Sequence, residues 1–296
     1  MIDPHTVTSQ RWLQTAEKAL RAAGVGEAEE EAKALFFALS KVSHSQQILY
    51  PERPLERDTL MRLQRGLESR CARIPLSQIC GYQDFWSASF LVSDAVLTPR
   101  PETERLVEAS IKALLASLET QNLSSPPLVV DVGTGSGCVA ISIGQELSAE
   151  GVEIELIAID KSPAALEVAR ENSVRLDVPV TLLEGDLLAP LQGREARLIV
   201  SNPPYISPEE IQSLEPEVRD HEPRLALDGG AEGMMLIQRL VLEARRHLES
   251  GGWLLFEIGW RQEEAATDCL SRAGFQEISC LRDWAGHPRV MRGRQP

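Results

Sequence analysis

The feature that most constrains the fold is a regular alternation, after residue 127, of short apolar segments with segments of helical periodicity. The first segment, 128–132, is a continuous apolar run, as expected for a strand covered on both faces of a sheet. Candidate strands are 128–132, 153–160, 180–184, 198–201, 253–258 and 275–281, with 290–294 as a candidate final edge strand. Candidate helices are 138–149, 163–175, 234–249 and 261–273. This alternation predicts an α/β fold with a doubly wound parallel sheet.

The first 75 residues show helical periodicity without strands. Apolar side chains recur at helical spacing at Trp12, Leu13, Ala16, Leu20 and Ala23. The period changes in 76–97, where two short segments of strand character flank a turn. The sequence therefore predicts three parts: a small helical domain (1–75), a β-hairpin linker (76–97) and an α/β domain (98–296).

Composition narrows the possible classes of protein. The chain has 296 residues, 43% of them hydrophobic, and its net charge of −14 divides into +1 for residues 1–75 and −15 for the remainder. So acidic an α/β domain disfavours a nucleic-acid partner and favours a protein or small-molecule substrate. The five cysteines and five histidines show no metal-ligand spacing, so no metal is expected. With no export signal and no apolar run long enough to span a bilayer, a cytoplasmic protein without a membrane partner is expected.

A proline-rich motif follows the candidate strand 198–201. Asn202 lies where Pro203 and Pro204 end the strand, because proline has no N–H for a sheet ladder. In an open parallel sheet this carboxyl edge is where ligands bind. The Asn202 amide could pair with another planar amide or amidine, and Tyr205 adds a flat face for such a group. Taken alone, the motif is explained equally well by an Asn-Pro turn that ends a strand.

A glycine-rich loop follows the first candidate strand. It comprises Gly133, Thr134, Gly135, Ser136 and Gly137, with Asp131 ahead of the first glycine. Glycines permit a tight turn and close approach of a ligand to the backbone. There is no Gly-Lys-Ser/Thr sequence, which disfavours a phosphate-binding P-loop. The acid ahead of the loop favours a ligand with a cationic group over one with a pyrophosphate.

Two more acids lie at or just after the ends of the next two candidate strands. Asp160 can accept both hydroxyls of a ribose, although it could also serve only as a residue before a helix. Asp186 could accept from an adenine amino group. The loop and these acids describe a pocket for an adenosine that carries a cationic aminoacyl chain. S-adenosyl-L-methionine fits that description better than NAD does.

The combined motifs resemble those of the HemK/PrmC family of protein-(glutamine-N5) methyltransferases. The resemblance rests on the glycine loop, on the Asn-Pro-Pro-Tyr motif and on the segment 98–104, and it extends over roughly 70–295. It implies a Rossmann-like methyltransferase sheet and an N-terminal helical domain that binds substrate. It also implies S-adenosylmethionine as methyl donor, with S-adenosylhomocysteine as product, and class I peptide chain release factors as protein substrates. A monomer is expected.

The resemblance also implies roles for particular residues. The Asn202 side-chain oxygen and the Pro203 carbonyl would accept the two N–H bonds of the substrate glutamine amide, with Pro204 and Tyr205 completing the substrate site and Tyr205 pressing on the amide plane. The cofactor would be held by the residues of the loop and of the following strand ends: Gly133, Thr134, Gly135, Ser136, Gly137, Asp160, Asp186, Leu187 and Asn202. Leu187 departs from the family, in which an aromatic residue often stacks on the adenine.

Two related activities remain as alternatives. A ribosomal-protein glutamine methyltransferase shares the loop and the catalytic motif, but its linker tends to read Pro-Arg-Ser-Pro, whereas this chain has Pro-Arg-Pro-Glu-Thr-Glu at 99–104. An adenine-N6 DNA methyltransferase uses a similar motif on a flipped base. The acidic α/β domain counts against DNA. A module that only binds an adenine nucleotide would leave Asn202 unexplained.

Overall fold

The structure, a computed structural model, describes residues 7–118 and 125–296, except for the side chains of residues 44, 47 and 48. The first six residues of the predicted helical domain therefore lie outside the described part. The chain divides into two compact units. The first comprises Met1–Gly81 together with Glu215–His221, and the second comprises Tyr82–Leu214 together with Glu222–Pro296.

The first unit is built from short helices. They are α1 (Ser9–Ala22), α2 (Ala28–Ser40), α3 (His44–Leu49), α4 (Arg57–Cys71) and α5 (Leu76–Cys80). Thr8 starts α1 by accepting from the backbone N–H of Arg11, as an N-cap residue does. One face of α1 is buried, and its Trp12 ring lies 5.7 Å from the Phe36 ring of α2. The apolar spacing seen in the sequence thus forms the core of this unit.

The second unit begins with an antiparallel hairpin, β1 (Tyr82–Phe85) and β2 (Ala88–Leu91). The sheet strands are β3 (Leu128–Val132), β4 (Glu155–Asp160), β5 (Thr181–Glu184), β6 (Ala196–Ser201), β7 (Leu248–Glu257), β8 (Gln276–Arg282) and β9 (Pro288–Arg294). The longer helices are α6 (Glu104–Leu118), α7 (Cys138–Ala149), α8 (Pro163–Arg175), α12 (Met235–His247) and α13 (Glu263–Arg272). Short helices α9 (Pro208–Ile211), α10 (Pro216–His221) and α11 (Arg224–Leu227) follow β6, and α10 belongs to the first unit.

The sheet confirms the doubly wound α/β prediction. In the described part of the chain its seven strands run in the order β5-β4-β3-β6-β7-β9-β8. The pairs from β5 to β7 are parallel, and β9 is antiparallel to both of its neighbours. The strand order reverses between β3 and β6, and the carboxyl edge at such a switch point is where open α/β sheets bind ligands.

The expected edge strand at 290–294 is wrong in its position. β9 lies between β7 and β8, so β8 is the edge strand. Val290 and Met291 are fully buried, one in the core on each face of the sheet. An apolar strand with two buried faces gains more from an interior position than from an edge.

Alternate side chains of the central strands enter two separate cores. Val129 and Val200 pack with α6 and α7 on one face, whereas Val130 and Ile199 pack with α12 and α13 on the other. Both faces of the sheet are therefore covered, which explains why 128–132 reads as a continuous apolar run. Among the described residues, no helix is long and apolar enough to cross a membrane.

The segment 215–221 joins the first unit through ion pairs. Glu217 accepts from Arg70 Nη2 at 2.8 Å and from Arg73 Nη2 at 2.6 Å. The Arg70 side chain is only 5% exposed and also pairs with Glu31. Although burial opposes the shift, the bonds from Arg73 and Arg70 lower the pKa of Glu217 to about 2. Although Glu217 lies among several other acidic residues in the sequence, its side chain is thus paired and only 16% exposed.

We expect Glu217→Gln to lower the free energy of unfolding by about 1–3 kcal/mol at pH 7, because two arginines lose a charged hydrogen-bond acceptor. The lowered pKa of Glu217 means that this contribution is complete above its ordinary pKa and is lost as the pH falls. The stability gap between wild type and Glu217→Gln should therefore narrow by roughly 1 kcal/mol between pH 7 and pH 4. Urea unfolding at both pH values measures it.

The matched control is Glu215→Gln. Glu215 also pairs with Arg73, at 3.2 Å, but its side chain is 79% exposed. Exposed pairs contribute about 0–1 kcal/mol, so this variant should unfold close to wild type. Equal losses in the two variants would contradict the role assigned to Glu217.

Candidate active site

A cavity of about 700 Å³ opens at the carboxyl ends of β3, β4, β5 and β6, within the second unit. Ligand sites in proteins commonly enclose about 300–1,000 Å³. Residues from these strand ends line it: Gly133, Thr134, Gly135, Ser136, Asp160, Asp186, Leu187, Asn202, Pro203 and Pro204. Most of the residues predicted from separate motifs are thus brought to one place.

The glycine loop turns sharply after β3. Its course is fixed by backbone bonds from Gly133 and Thr134 to the Ile159 carbonyl at the end of β4, of 2.8 and 3.0 Å. Gly135 has a φ of +56°, a left-handed conformation that favours glycine, and its N–H donates to Asp160 at 2.9 Å. The loop therefore connects the first two strand ends through hydrogen bonds.

Gly137 ends the loop but does not line the cavity. It precedes α7 with a φ of +82°, and a Cβ there would lie 3.0 Å from Ile141 and 3.3 Å from the Cβ of Ala169 in α8. Gly137 packs closely between the loop and two helices, and its contact with a cofactor stays a prediction. The glycine at this position is explained by the fold.

Asp131 and Asp160 have different surroundings. Asp131 is buried and accepts from the Thr134 hydroxyl at 2.7 Å and from the Ala140 N–H at 3.3 Å. Burial raises the pKa of Asp131 to about 7, against these two bonds. Asp160 accepts one N–H on each oxygen, from Gly135 and from Ser162. A carboxylate has further lone pairs, so Asp160 can still accept ligand hydroxyls.

Asp186 and Leu187 lie together on the wall of the cavity. The Asp186 carboxylate is 3.1 Å from Arg239 Nη2 and 4.0 Å from Lys161 Nζ, and both cationic residues also line the cavity. Leu187 adopts a left-handed φ of +51°. An incoming donor at Asp186 would therefore share the carboxylate with Arg239, a residue that belongs to none of the sequence motifs.

Asn202 follows β6 directly. The pairing of Val132 in β3 with Ser201 in β6 places Asn202 beside the start of the glycine loop. Its Nδ2 donates to the Thr103 hydroxyl at 3.2 Å. Among the described residues, none donates to Oδ1 of Asn202 or to the Pro203 carbonyl. These are the two acceptors that the sequence assigns to a substrate amide.

Tyr205, by contrast, does not line the cavity. Its hydroxyl donates to Glu257 Oε1 at 2.9 Å, and its backbone carbonyl accepts from Gln262. Burial, together with the Glu257 carboxylate, raises the pKa of the phenol. The structure thus does not bring the predicted flat face onto the cavity wall.

Glu257 is the buried carboxylate behind the motif, with 1% of its surface exposed. Its Oε2 accepts from the Thr103 hydroxyl at 2.7 Å, and Arg289 Nη1 lies 3.9 Å from its Oε1. Burial raises the pKa of Glu257, against the bonds from Thr103 and Tyr205. Helix α6 begins at Glu104, directly after Thr103, and the Thr103 hydroxyl donates to Glu257.

A second buried carboxylate, that of Glu222, contacts residues that line the cavity. Glu222 accepts from Arg100 Nη2 at 2.7 Å and from the Thr98 N–H at 3.3 Å. Burial raises the pKa of Glu222, and Arg100 opposes the shift. The bonds connect 98–100 with 223–228, and both segments contribute to the lining. Local sequence patterns do not reveal this contact, because over 120 residues separate Glu222 from Thr98 and Arg100.

Known proteins match the chain over nearly its full length. Residues 11–81 match the PrmC N-terminal domain, and residues 104–216 match the Methyltransferase small domain. The release factor glutamine methyltransferase of Koribacter versatilis is 35% identical over 291 residues, covering 98% of this chain and 99% of that protein. Its namesake in Cereibacter sphaeroides is 38% identical, covering 96% and 97%, and that of Escherichia coli K12 is 33% identical, covering 96% and 98%.

The chain belongs to the release factor glutamine methyltransferase family. Membership confirms the family resemblance drawn from the glycine loop, the Asn-Pro-Pro-Tyr motif and the segment 98–104. In this family member, the two diagnostic motifs end the neighbouring strands β3 and β6 and meet at one cavity.

The packing at Gly137 can be tested by stability. We expect Gly137→Ala to destabilise the protein by about 1–3 kcal/mol more than Gly133→Ala. Both glycines have positive φ, so both variants carry the backbone strain, but a Cβ at Gly133 meets no atom within 4 Å. Thermal unfolding of the two variants gives the difference. Equal melting temperatures would show that Gly137 has no packing role.

Proposed function

We propose that this protein transfers a methyl group from S-adenosyl-L-methionine to the side-chain amide nitrogen of the glutamine in the Gly-Gly-Gln motif of class I peptide chain release factors. The observation that carries the proposal is the register of β3 and β6. It brings the glycine loop and Asn202 together on one cavity wall, so a methyl donor and a side-chain amide can share the space. The relatives named as release factor glutamine methyltransferases support the choice of substrate.

The cavity wall suits the methyl donor. The carboxylates of Asp160 and Asp186 lie in the lining, where they favour a ligand that carries sulfonium and ammonium charges, although Asp186 also pairs with Arg239 and Lys161. The backbone at Gly133 and Gly135 leaves open space where a side chain would otherwise stand, so a ligand can approach closely. S-adenosylmethionine, when bound here, supplies an activated methyl group on its sulfonium.

The chain's own residues position the substrate nitrogen. An amide nitrogen is a poor nucleophile, because its lone pair is delocalised into the carbonyl. Asn202 Oδ1 and the Pro203 carbonyl are two acceptors for the two N–H bonds of the substrate amide. When both N–H bonds are held by these acceptors, the free face of the substrate nitrogen can be directed at the methyl group. Alignment of this kind can supply about 7–11 kcal/mol.

The helical unit is assigned to the protein substrate. It is the part that matches the PrmC N-terminal domain, and none of its described residues belongs to the cavity lining. We assign 1–75 to substrate binding, 76–97 to the linker and 98–296 to methyl transfer. The protein is proposed to act as a cytoplasmic monomer on a protein partner, without DNA or a membrane.

Asn202→Ala should abolish methyl transfer, lowering turnover by about a thousandfold or more, because the substrate amide loses a directed acceptor. Binding of S-adenosylmethionine should persist, since the glycine loop and Asp160 are unchanged. Turnover is measured with radiolabelled donor, and binding is measured by calorimetry. Near-normal turnover in this variant would remove Asn202 from the proposed mechanism.

The substrate class is tested by competition among acceptors. The protein is incubated with radiolabelled S-adenosylmethionine and, separately, a class I release factor, ribosomal protein L3 and duplex DNA. Label is expected on the release factor, and a release factor whose Gly-Gly-Gln motif is changed to Gly-Gly-Ala should stay unlabelled. Label on the ribosomal protein or on DNA alone would establish the corresponding alternative.

A further inference from the structure

We propose that Glu257 and Thr103 are positioning residues that fix the orientation of the Asn202 side-chain amide, that is, the positions of its Oδ1 and Nδ2 atoms. The inference rests on the proposed function, because it concerns the acceptor offered to the substrate amide. It goes beyond that function because neither residue is part of the Asn-Pro-Pro-Tyr motif. Both come from distant parts of the chain: Thr103 precedes α6, and Glu257 ends β7.

The two hydrogen bonds that connect Asn202 through Thr103 to Glu257 have a defined donor-to-acceptor direction. The Thr103 and Tyr205 hydroxyls lie within hydrogen-bond distance of separate oxygens of Glu257, and Arg289 Nη1 lies 3.9 Å from Oε1, so these partners favour the ionised carboxylate against the effect of burial. An ionised carboxylate only accepts hydrogen bonds, and a hydroxyl carries a single proton. The Thr103 hydroxyl lies 2.7 Å from Glu257 Oε2, a distance typical of a bond from a hydroxyl to a carboxylate. The Thr103 proton is therefore used on Glu257. Towards Asn202, Thr103 Oγ1 can only accept.

This polarity selects one of two amide orientations. The group of Asn202 that lies 3.2 Å from Thr103 must be the donor, Nδ2. Oδ1 is then left for other partners, and no described residue donates to it. In the reversed orientation, two lone pairs would meet at Thr103, and an NH2 group would face the NH2 group of the substrate. Such an amide could not accept from its substrate.

Glu257 is itself firmly held. Besides Thr103, it accepts from the Tyr205 hydroxyl, and Arg289 Nη1 lies 3.9 Å away. Arg289 also pairs with Asp283 at 3.2 Å. A buried charge without partners is costly, so this arrangement stabilises the carboxylate in its place. It also gives Tyr205 a role behind the cavity wall, since its hydroxyl occupies the second oxygen of Glu257.

The test compares substitutions that differ in one hydroxyl. Thr103→Val keeps the shape of the side chain but removes the hydroxyl, and Thr103→Ser restores it. We expect kcat for methylation of the release factor to fall about tenfold or more in Thr103→Val. S-adenosylmethionine binding should stay within about twofold of wild type, and Thr103→Ser should recover most of kcat. Thr267→Val is the matched control, because that hydroxyl only donates to a carbonyl within α13.

A second readout needs no substrate. In nitrogen-15 spectra, the side-chain NH2 signal of Asn202 is assigned by its loss in Asn202→Ala. It should shift in Thr103→Val, where the acceptor is gone, and return towards the wild-type position in Thr103→Ser. If Thr103→Val does not fold, Thr103→Ala removes the same hydroxyl without placing a methyl group beside the carboxylate.

The outcomes separate the two proposals. A wild-type protein that leaves release factors unlabelled overturns the proposed function, whereas the NH2 signal still tests the orientation of Asn202. An active wild type with unchanged kcat in Thr103→Val overturns the positioning role. So does an equal loss of kcat in Thr103→Ser and Thr103→Val, or an NH2 signal that does not move.

Discussion

The site depends on the parallel pairing of β3 with β6. These strands are neighbours in the sheet, although residues 133–195 separate them in sequence. This is possible because β4 and β5 lie on the other side of β3. The Ser201 hydroxyl donates to the Val132 carbonyl at 2.7 Å in the buried core, at the last residue of each strand. The polypeptide therefore leaves the sheet at the same level after β3 and after β6. The glycine loop and the Asn-Pro-Pro-Tyr motif therefore both contribute residues to the lining of one cavity.

The regular part of this architecture could be predicted from local sequence. The bounds of β3, α7 and α8 agree with those expected, because an apolar run and clear helix starts define them. Ser162 caps α8 by accepting from Ala165, and Pro163 occupies its first turn. The acids Asp160 and Asp186 were predicted to lie at strand ends, and they line the cavity there. Period and capping are local properties, so a single sequence reveals them.

What the sequence missed depends on contacts between distant segments. The interior position of β9 follows from pairing on both sides, which its seven residues do not encode locally. Tyr205 has an aromatic ring suited to stacking, but the nearby carboxylate of Glu257 takes its hydroxyl. Glu217 reads as one of several surface acids, and only the fold brings it to Arg70 and Arg73. For Tyr205 and Glu217, the role of the side chain is set by a partner more than 50 residues away.

The first unit is discontinuous in sequence, since Glu215–His221 belongs to it. The polypeptide therefore passes between the two units three times, at 81/82, 214/215 and 221/222, where a simple two-domain protein would pass once. A gene fragment that ends at residue 81 would encode the helices without Glu217, and Arg70 and Arg73 would lose that acceptor in the isolated product. Conversely, any loop graft that replaced the stretch after Asn-Pro-Pro-Tyr would remove part of the helical unit. Strand β6 and part of the helical unit thus lie on one continuous piece of chain, which limits how freely either could be exchanged by recombination.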